Sequence, residues 1–123
     1  MTTSEAFWKF LPAGLDELFE MVKFEYSDTA YNIWLDEKKK LSGEDSRNPN
    51  IVARGYTEYV IIQDYPMRGR PVYLHMRKNK WWDKRTNEIF SYRLELPNEE
   101  GTRLSAEFVA FLKDEGGDDS PVD

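Results

Sequence analysis

The sequence contains no cysteine and a single histidine, His75. Those two shortages exclude disulfides, thiol nucleophiles and every common four-ligand Cys/His zinc set, so the expected fold is metal-free and rests on its own core. No run approaches the roughly 18 to 20 apolar residues that span a bilayer, and the N-terminus lacks the basic, apolar and small-residue segments of a signal peptide. A cytoplasmic protein is the expectation. The glycines Gly14, Gly43, Gly55, Gly69 and Gly101 are scattered, which leaves no phosphate-cradling loop of the Walker or dinucleotide type. A Ser/His/Asp relay would have only His75 to work through, and no serine is flanked by the glycines of a nucleophile elbow. The bland reading of His75 is a polar residue on a strand face. The acidic pairs Asp36-Glu37, Glu44-Asp45 and Glu99-Glu100 lie in or beside loops, where charge runs read as solvation, and nothing selects a catalytic pair. The absences point away from an enzyme and imply no cofactor.

What is present is ample apolar and aromatic surface. A chain of 123 residues with 40% hydrophobic and 15% aromatic side chains suits one core, because a chain of this size buries roughly two thirds of the surface its unfolded form exposes. We expect one domain over residues 1–115 and a disordered acidic tail over 116–123.

Charge is unevenly spread. The formal net charge of −6 argues against a uniformly basic nucleic-acid binder. From Ile51 to Arg93, however, nine basic residues face four acidic ones, a local balance of +5 that leaves −11 elsewhere. A partner feels the local field within about one Debye length, near 8 to 10 Å at ordinary salt, so the asymmetry matters more than the total.

Periodicity predicts an α+β fold. Ser4 is placed to cap a short helix through Phe7, Trp8, Phe10 and Leu11, and Leu15, Leu18 and Phe19 suit a second short turn. Val22, Phe24 and Tyr26 alternate with polar residues, and after Ser27-Asp28-Thr29-Ala30 the alternation resumes at Tyr31, Ile33 and Leu35, a hairpin pattern. Residues 37–55 are charged and turn-rich and read as an exposed loop. Tyr59 to Tyr65 and Val72, Leu74 and Met76 form a second hairpin around Pro66-Met67-Arg68-Gly69-Arg70, with residues 78–82 extending its second strand. Phe90, Tyr92, Leu94 and Leu96 supply a return strand. The sum is an antiparallel sheet of about five strands, with short N-terminal helices. A C-terminal helix capped by Thr102 should cover it through Leu104, Phe108, Phe111 and Leu112.

The segment from Met67 to Arg85 carries the densest chemistry. Alternation puts Tyr73, His75 and Arg77 opposite Val72, Leu74 and Met76, and Arg68, Arg70, Lys78, Lys80, Lys84 and Arg85 add cations along it. Arg and Lys suit phosphate oxygens, while Tyr and Trp stack on bases or pack on sugars. The competing reading is a solvated strand face whose charges protect an edge from aggregation. Trp81 and Trp82 are neighbours on a strand, so a single-sided sheet buries only one of them. Which one is exposed stays open, and Trp81 is counted among the candidate contacts.

At this segment the sequence resembles the N-terminal region of bacterial insertion-sequence transposases, in a group where that region is a small separate protein. The likeness lies in Gln63-Asp64-Tyr65-Pro66-Met67-Arg68-Gly69-Arg70-Pro71-Val72, the alternating strand to Arg77 and the aromatic pair, then Gly101-Thr102-Arg103-Leu104 and Glu107 to Leu112. With Leu11-Pro12 it spans about residues 8 to 113. A more distant resemblance is to the zinc-binding N-terminal module of larger transposases, but Asp83 stands where that module has a ligating cysteine. The metal role is therefore lost here, and Trp81, Trp82, Phe90 and Tyr92 are expected to serve as the local staple instead. The resemblance implies recognition of element ends in duplex DNA, with phosphodiester chemistry in a separate catalytic transposase subunit, and allows a homo-oligomer. The expected function is a noncatalytic DNA-binding or assembly subunit contacting DNA through Arg68, Arg70, Tyr73, His75, Arg77, Lys78, Lys80, Trp81, Lys84 and Arg85. The alternative is a protein-interaction module that holds the transposase without touching DNA.

Overall fold

Strands form where apolar and polar residues alternate. The computed structural model describes residues 3–96 and 105–114, with side chains from Ala6 onward. The expected cap side chain of Ser4, the expected cap Thr102 with Leu104, and the tail 116–123 lie outside the described residues. The described chain is α+β. Two short helices, α1 (Thr3–Trp8) and α2 (Leu15–Leu18), precede β1 (Phe19–Tyr26), β2 (Tyr31–Glu37), a 3-10 turn (Gly43–Arg47), β3 (Ile51–Tyr56), β4 (Val60–Met67), β5 (Arg70–Arg77), β6 (Asn79–Asp83), β7 (Glu88–Phe90) and α3 (Ala106–Lys113).

The expected hairpins form as β1–β2 and β4–β5. The strands divide into two sheets rather than one, a four-stranded sheet in the order β1-β2-β5-β4 and a three-stranded sheet in the order β3-β6-β7. β5 lies between β4, its antiparallel hairpin partner, and β2, to which it runs parallel. The four-stranded sheet is single-sided. Its inner face carries Phe19, Tyr31, Ile33, Leu35, Ile62, Val72, Leu74 and Met76, which pack with Leu11, Leu15, Leu96, Phe108, Phe111 and Leu112 in one buried cluster. α3 supplies the lid through the predicted stripe, with its N-terminus capped by Ser105, whose hydroxyl accepts the Phe108 N–H at 3.1 Å.

The expected continuation of β5 through residue 82 fails at Lys78 for a local reason. Alternation sends Lys78 to the core side after Val72, Leu74 and Met76, and Asn79 is buried as well, so two consecutive inward residues shift the phase of the strand by one. The Asn79 backbone N–H donates to Glu37 Oε1 at 2.8 Å, and its amide Nδ2 donates to the carbonyls of Glu37 and Lys38 at 3.1 Å each. Those bonds close the end of β2, and beyond them the chain pairs with β3 instead. β3 itself lies in the stretch read as loop. The return strand is also shorter than predicted. β7 ends at Phe90, and residues 91–96 run beside α3, where the Leu94 N–H donates to the Leu112 carbonyl at 2.7 Å.

Candidate nucleic-acid interface

The outer face of the four-stranded sheet presents the predicted Tyr73, His75 and Arg77. In register beside them stand Asn32, Trp34 and Asp36 of β2, then Lys23 and Glu25 of β1 and Ile61 and Gln63 of β4. His75 is held rather than presented. Its ring stacks on Trp34 with centroids 4.2 Å apart. Its Nε2 lies 2.8 Å from Asn32 Oδ1, an acceptor that puts the ring proton on Nε2. Burial pushes its pKa down, so it is neutral at pH 7. Arg77 is engaged as well. Its Nε and Nη2 donate to Asp36 Oδ1 and Oδ2 at 2.8 Å each, a bidentate pair. Tyr59 donates its hydroxyl to the same carboxylate at 2.7 Å. The guanidinium lies over Tyr56 at 4.1 Å and Tyr59 at 4.6 Å. Burial alone would raise the Asp36 pKa, but the hydrogen bonds from Arg77 and Tyr59 outweigh it and the carboxyl is held below its ordinary value. This face is aromatic and largely neutralised from within.

Two predicted contacts are corrected outright. Lys78 is 2% exposed. Its ammonium donates to the carbonyls of Tyr92 at 3.1 Å, Leu112 at 3.2 Å and Asp114 at 2.6 Å, and lies 5.3 Å from the Phe111 ring centroid. A cation spent on three backbone acceptors inside the fold is not a phosphate contact. Trp81 is 6% exposed, stands opposite Ala53 and Phe90, and has no partner for its indole N–H among the described residues. The phase shift at Lys78–Asn79 turns Trp81 inward and Trp82 outward.

The remaining predicted cations fall at two turns and on the smaller sheet. Arg68 and Gly69, with φ of 51° and 77°, form the two-residue loop between the paired Met67 and Arg70, the all-positive geometry that matches strand twist in a tight hairpin. Arg68 is exposed there. Arg70 is partly engaged, donating to the Ser27 carbonyl at 3.4 Å and lying 5.7 Å from the Tyr31 ring centroid. Lys84 and Arg85 are exposed in the β6–β7 turn, which Asp83 fastens by accepting the Arg85 and Thr86 N–H groups at 2.9 and 3.4 Å.

The outer face of the three-stranded sheet brings together what sequence reasoning separated. Val52, Trp82 and Ile89 are cross-strand partners. Lys80 lies two residues from Trp82 on the same side, and the Arg54 guanidinium sits 5.4 Å from the Trp82 ring centroid. The indole N–H donates to Asn87 Oδ1 at 3.1 Å, fixing a half-buried ring in place. Asp83 and Glu88, opposite one another, belong to the other face, so no acidic strand residue lies on this one among the described residues. Arg54 was missed because residues 37–55 read as loop. The β-branched Ile51-Val52 pair was the available signal for a strand there.

Among the described residues no group of three or more His, Cys, Asp or Glu side chains gathers as a metal site, and no helix is long and apolar enough to cross a membrane. None of the protein families, curated proteins or solved structures compared with this chain matches it.

Proposed function

We propose that the chain is a noncatalytic DNA-binding or assembly subunit of an insertion-sequence transposase, and that it meets duplex DNA with the outer face of the three-stranded sheet and the Lys84–Arg85 turn. The observation that carries this reading is the placement of Arg54 and Lys80 on the face of the half-exposed Trp82, with Lys84 and Arg85 exposed in the turn that follows β6, a face on which no acidic strand residue lies among the described residues. Such a set matches phosphate oxygens with cations and offers an indole to sugars or unstacked bases. The resemblance to transposase N-terminal regions supplies the context, recognition of element ends with the chemistry in a separate catalytic subunit.

Fluorescence anisotropy with a labelled duplex near 50 mM salt is the test. The full chain should bind, and Arg54→Gln, Lys80→Gln, Lys84→Gln and Arg85→Gln combined should abolish binding, while Arg68→Asn with Arg70→Gln should weaken it far less. Equal binding by the fourfold variant would sink the placement, and no binding by the wild type would sink the DNA reading.

One observation favours the interaction-module reading. β4 exposes Val60 at 45%, Ile61 at 57% and Tyr65 at 57%, and the neighbouring face has its arginine neutralised by Asp36. Apolar and aromatic area without free charge suits a protein partner better than phosphate. Salt-insensitive binding of the catalytic subunit, without DNA binding, would establish that reading.

A further inference from the structure

A cleft of about 280 Å³ opens where the end of β2, the α2–β1 junction and the segment after β7 meet. That volume is at the small end of ligand pockets, which run from roughly 300 to 1,000 Å³, and it suits a molecule the size of an amino acid. Leu18, Tyr92 and Leu94 give the cleft half-buried apolar walls. The Tyr92 ring is fixed, because its hydroxyl donates to Asp45 Oδ2 at 2.7 Å and accepts the Ser42 N–H at 3.4 Å.

Glu37 also lines the cleft, although it is only 5% exposed. Its Oε1 accepts both bonds from Asn79, the backbone N–H at 2.8 Å and the amide Nδ2 at 3.4 Å. Its Oε2 has no donor among the described residues. A glutamine would accept the same two bonds without the cost of a desolvated carboxylate, so Asn79 does not account for an acid at this position. Lys78 acts on the carboxyl through space, but its ammonium is spent on three carbonyls. At the mouth stand the exposed Lys38 and Lys40, and neither ammonium makes an ion pair or hydrogen bond among the described residues. Arg93 borders the cleft too but is already engaged, and Glu17 is an exposed acid beside it. A buried acid, an apolar wall and two exposed lysines thus share one small space, and a ligand of a single charge sign answers only part of it.

We propose that this cleft binds a small zwitterion, a primary ammonium and a carboxylate on an apolar body, with the ammonium on Glu37 Oε2, the carboxylate at Lys38 and Lys40, and the body against Leu18, Tyr92 and Leu94. A free apolar α-amino acid is the simplest member of that class. Its ammonium supplies both the donor and the counter-charge that the buried carboxyl lacks. Contacts to the exposed lysines are worth less, so Glu37 sets most of the affinity.

Amide shifts of the isotope-labelled full chain, titrated with L-leucine, are the test. Residues 17–18, 37–40 and 92–94 should move saturably. Glu37→Gln keeps an acceptor for the Asn79 N–H but puts an amide donor where the ammonium should sit, and leucine should weaken at least about tenfold, the loss of one hydrogen bond to a charged group. Isoamylamine, which lacks the carboxylate, should bind the wild type more weakly than leucine does, and a chain carrying Lys38→Gln and Lys40→Gln should bind the two alike. Isocaproate, which lacks the ammonium, should bind the wild type most weakly of the three. No saturable shift up to tens of millimolar leucine, shifts centred elsewhere, or unchanged leucine binding by Glu37→Gln overturns the proposal. Isocaproate binding as tight as that of leucine would make the cleft an anion site on its lysines and overturn it as well.

Discussion

Replacing Lys78 by Met should destabilise the protein far more than replacing any exposed lysine. Methionine keeps an unbranched apolar stem near Phe111 and removes only the ammonium. Hydrogen bonds to charged groups contribute about 1.5 to 3 kcal/mol each, and Lys78 makes three. The loss is smaller than their sum, since the Leu112 carbonyl also accepts the Leu94 N–H and the Tyr92 and Asp114 carbonyls are only partly buried. About 2 to 4 kcal/mol remains. Urea unfolding is the assay, read as a lower midpoint at unchanged slope, with Lys84→Met as the exposed control expected within about 0.5 kcal/mol of wild type. Equal midpoints for the two variants would refute the internal placement of Lys78, and with it the reason the strand breaks at that residue.

Phe108→Ala should cost about 3 to 5 kcal/mol, because the ring is fully buried, and Ser105→Ala about 1 kcal/mol for the lost cap; calorimetry of both checks the position of α3. Arg68→Asn should raise stability by up to about 1 kcal/mol, since Arg68 holds a positive φ that Asn tolerates better; a lowered melting temperature would refute the turn geometry. Glu37 is one pH-sensitive site: burial, opposed by its hydrogen bond from Asn79, raises its carboxyl pKa above the unfolded value, so its contribution is present at low pH and lost as pH rises through the folded pKa. Glu37→Gln should therefore be more stable than wild type at pH 7 and lack that loss in unfolding titrations from acid to neutral. Asp36 runs the opposite way, its stabilisation present above the ordinary aspartate value and lost as pH falls through the lower folded one; Asp36→Asn should remove that acid-side loss.

Much of the fold was legible because period-2 alternation is dictated by one buried face. Ile33-Leu35 and Val72-Leu74-Met76 announce their strands, and Phe108-Phe111-Leu112 announces its helix. What was illegible depends on tertiary partners. A lysine reads as solvent-facing until three carbonyls meet it, so the phase shift at Lys78–Asn79 is invisible in the chain. That single shift decides which tryptophan is buried, a question the sequence leaves open: Trp81 turns inward and Trp82 stays half-buried on the outer face. Arg77 likewise reads as an available cation because Asp36, 41 residues away, has no sequence mark as its partner. The smaller sheet was hidden because Gly55 and the charged approach to Ile51 outweigh two β-branched residues in any local window.

The salt dependence of duplex binding tests the proposed interface most directly. Four phosphate contacts, from Arg54, Lys80, Lys84 and Arg85, give a slope of log K against log salt of about −3.6 at −0.9 per contact. Removing Lys84 and Arg85 together should bring it to about −1.8, with the unfolding midpoint unchanged because both side chains are exposed. A wild-type slope near zero, or a slope that collapses on changing Arg68 and Arg70 and not Lys84 and Arg85, would contradict a DNA contact on the three-stranded sheet.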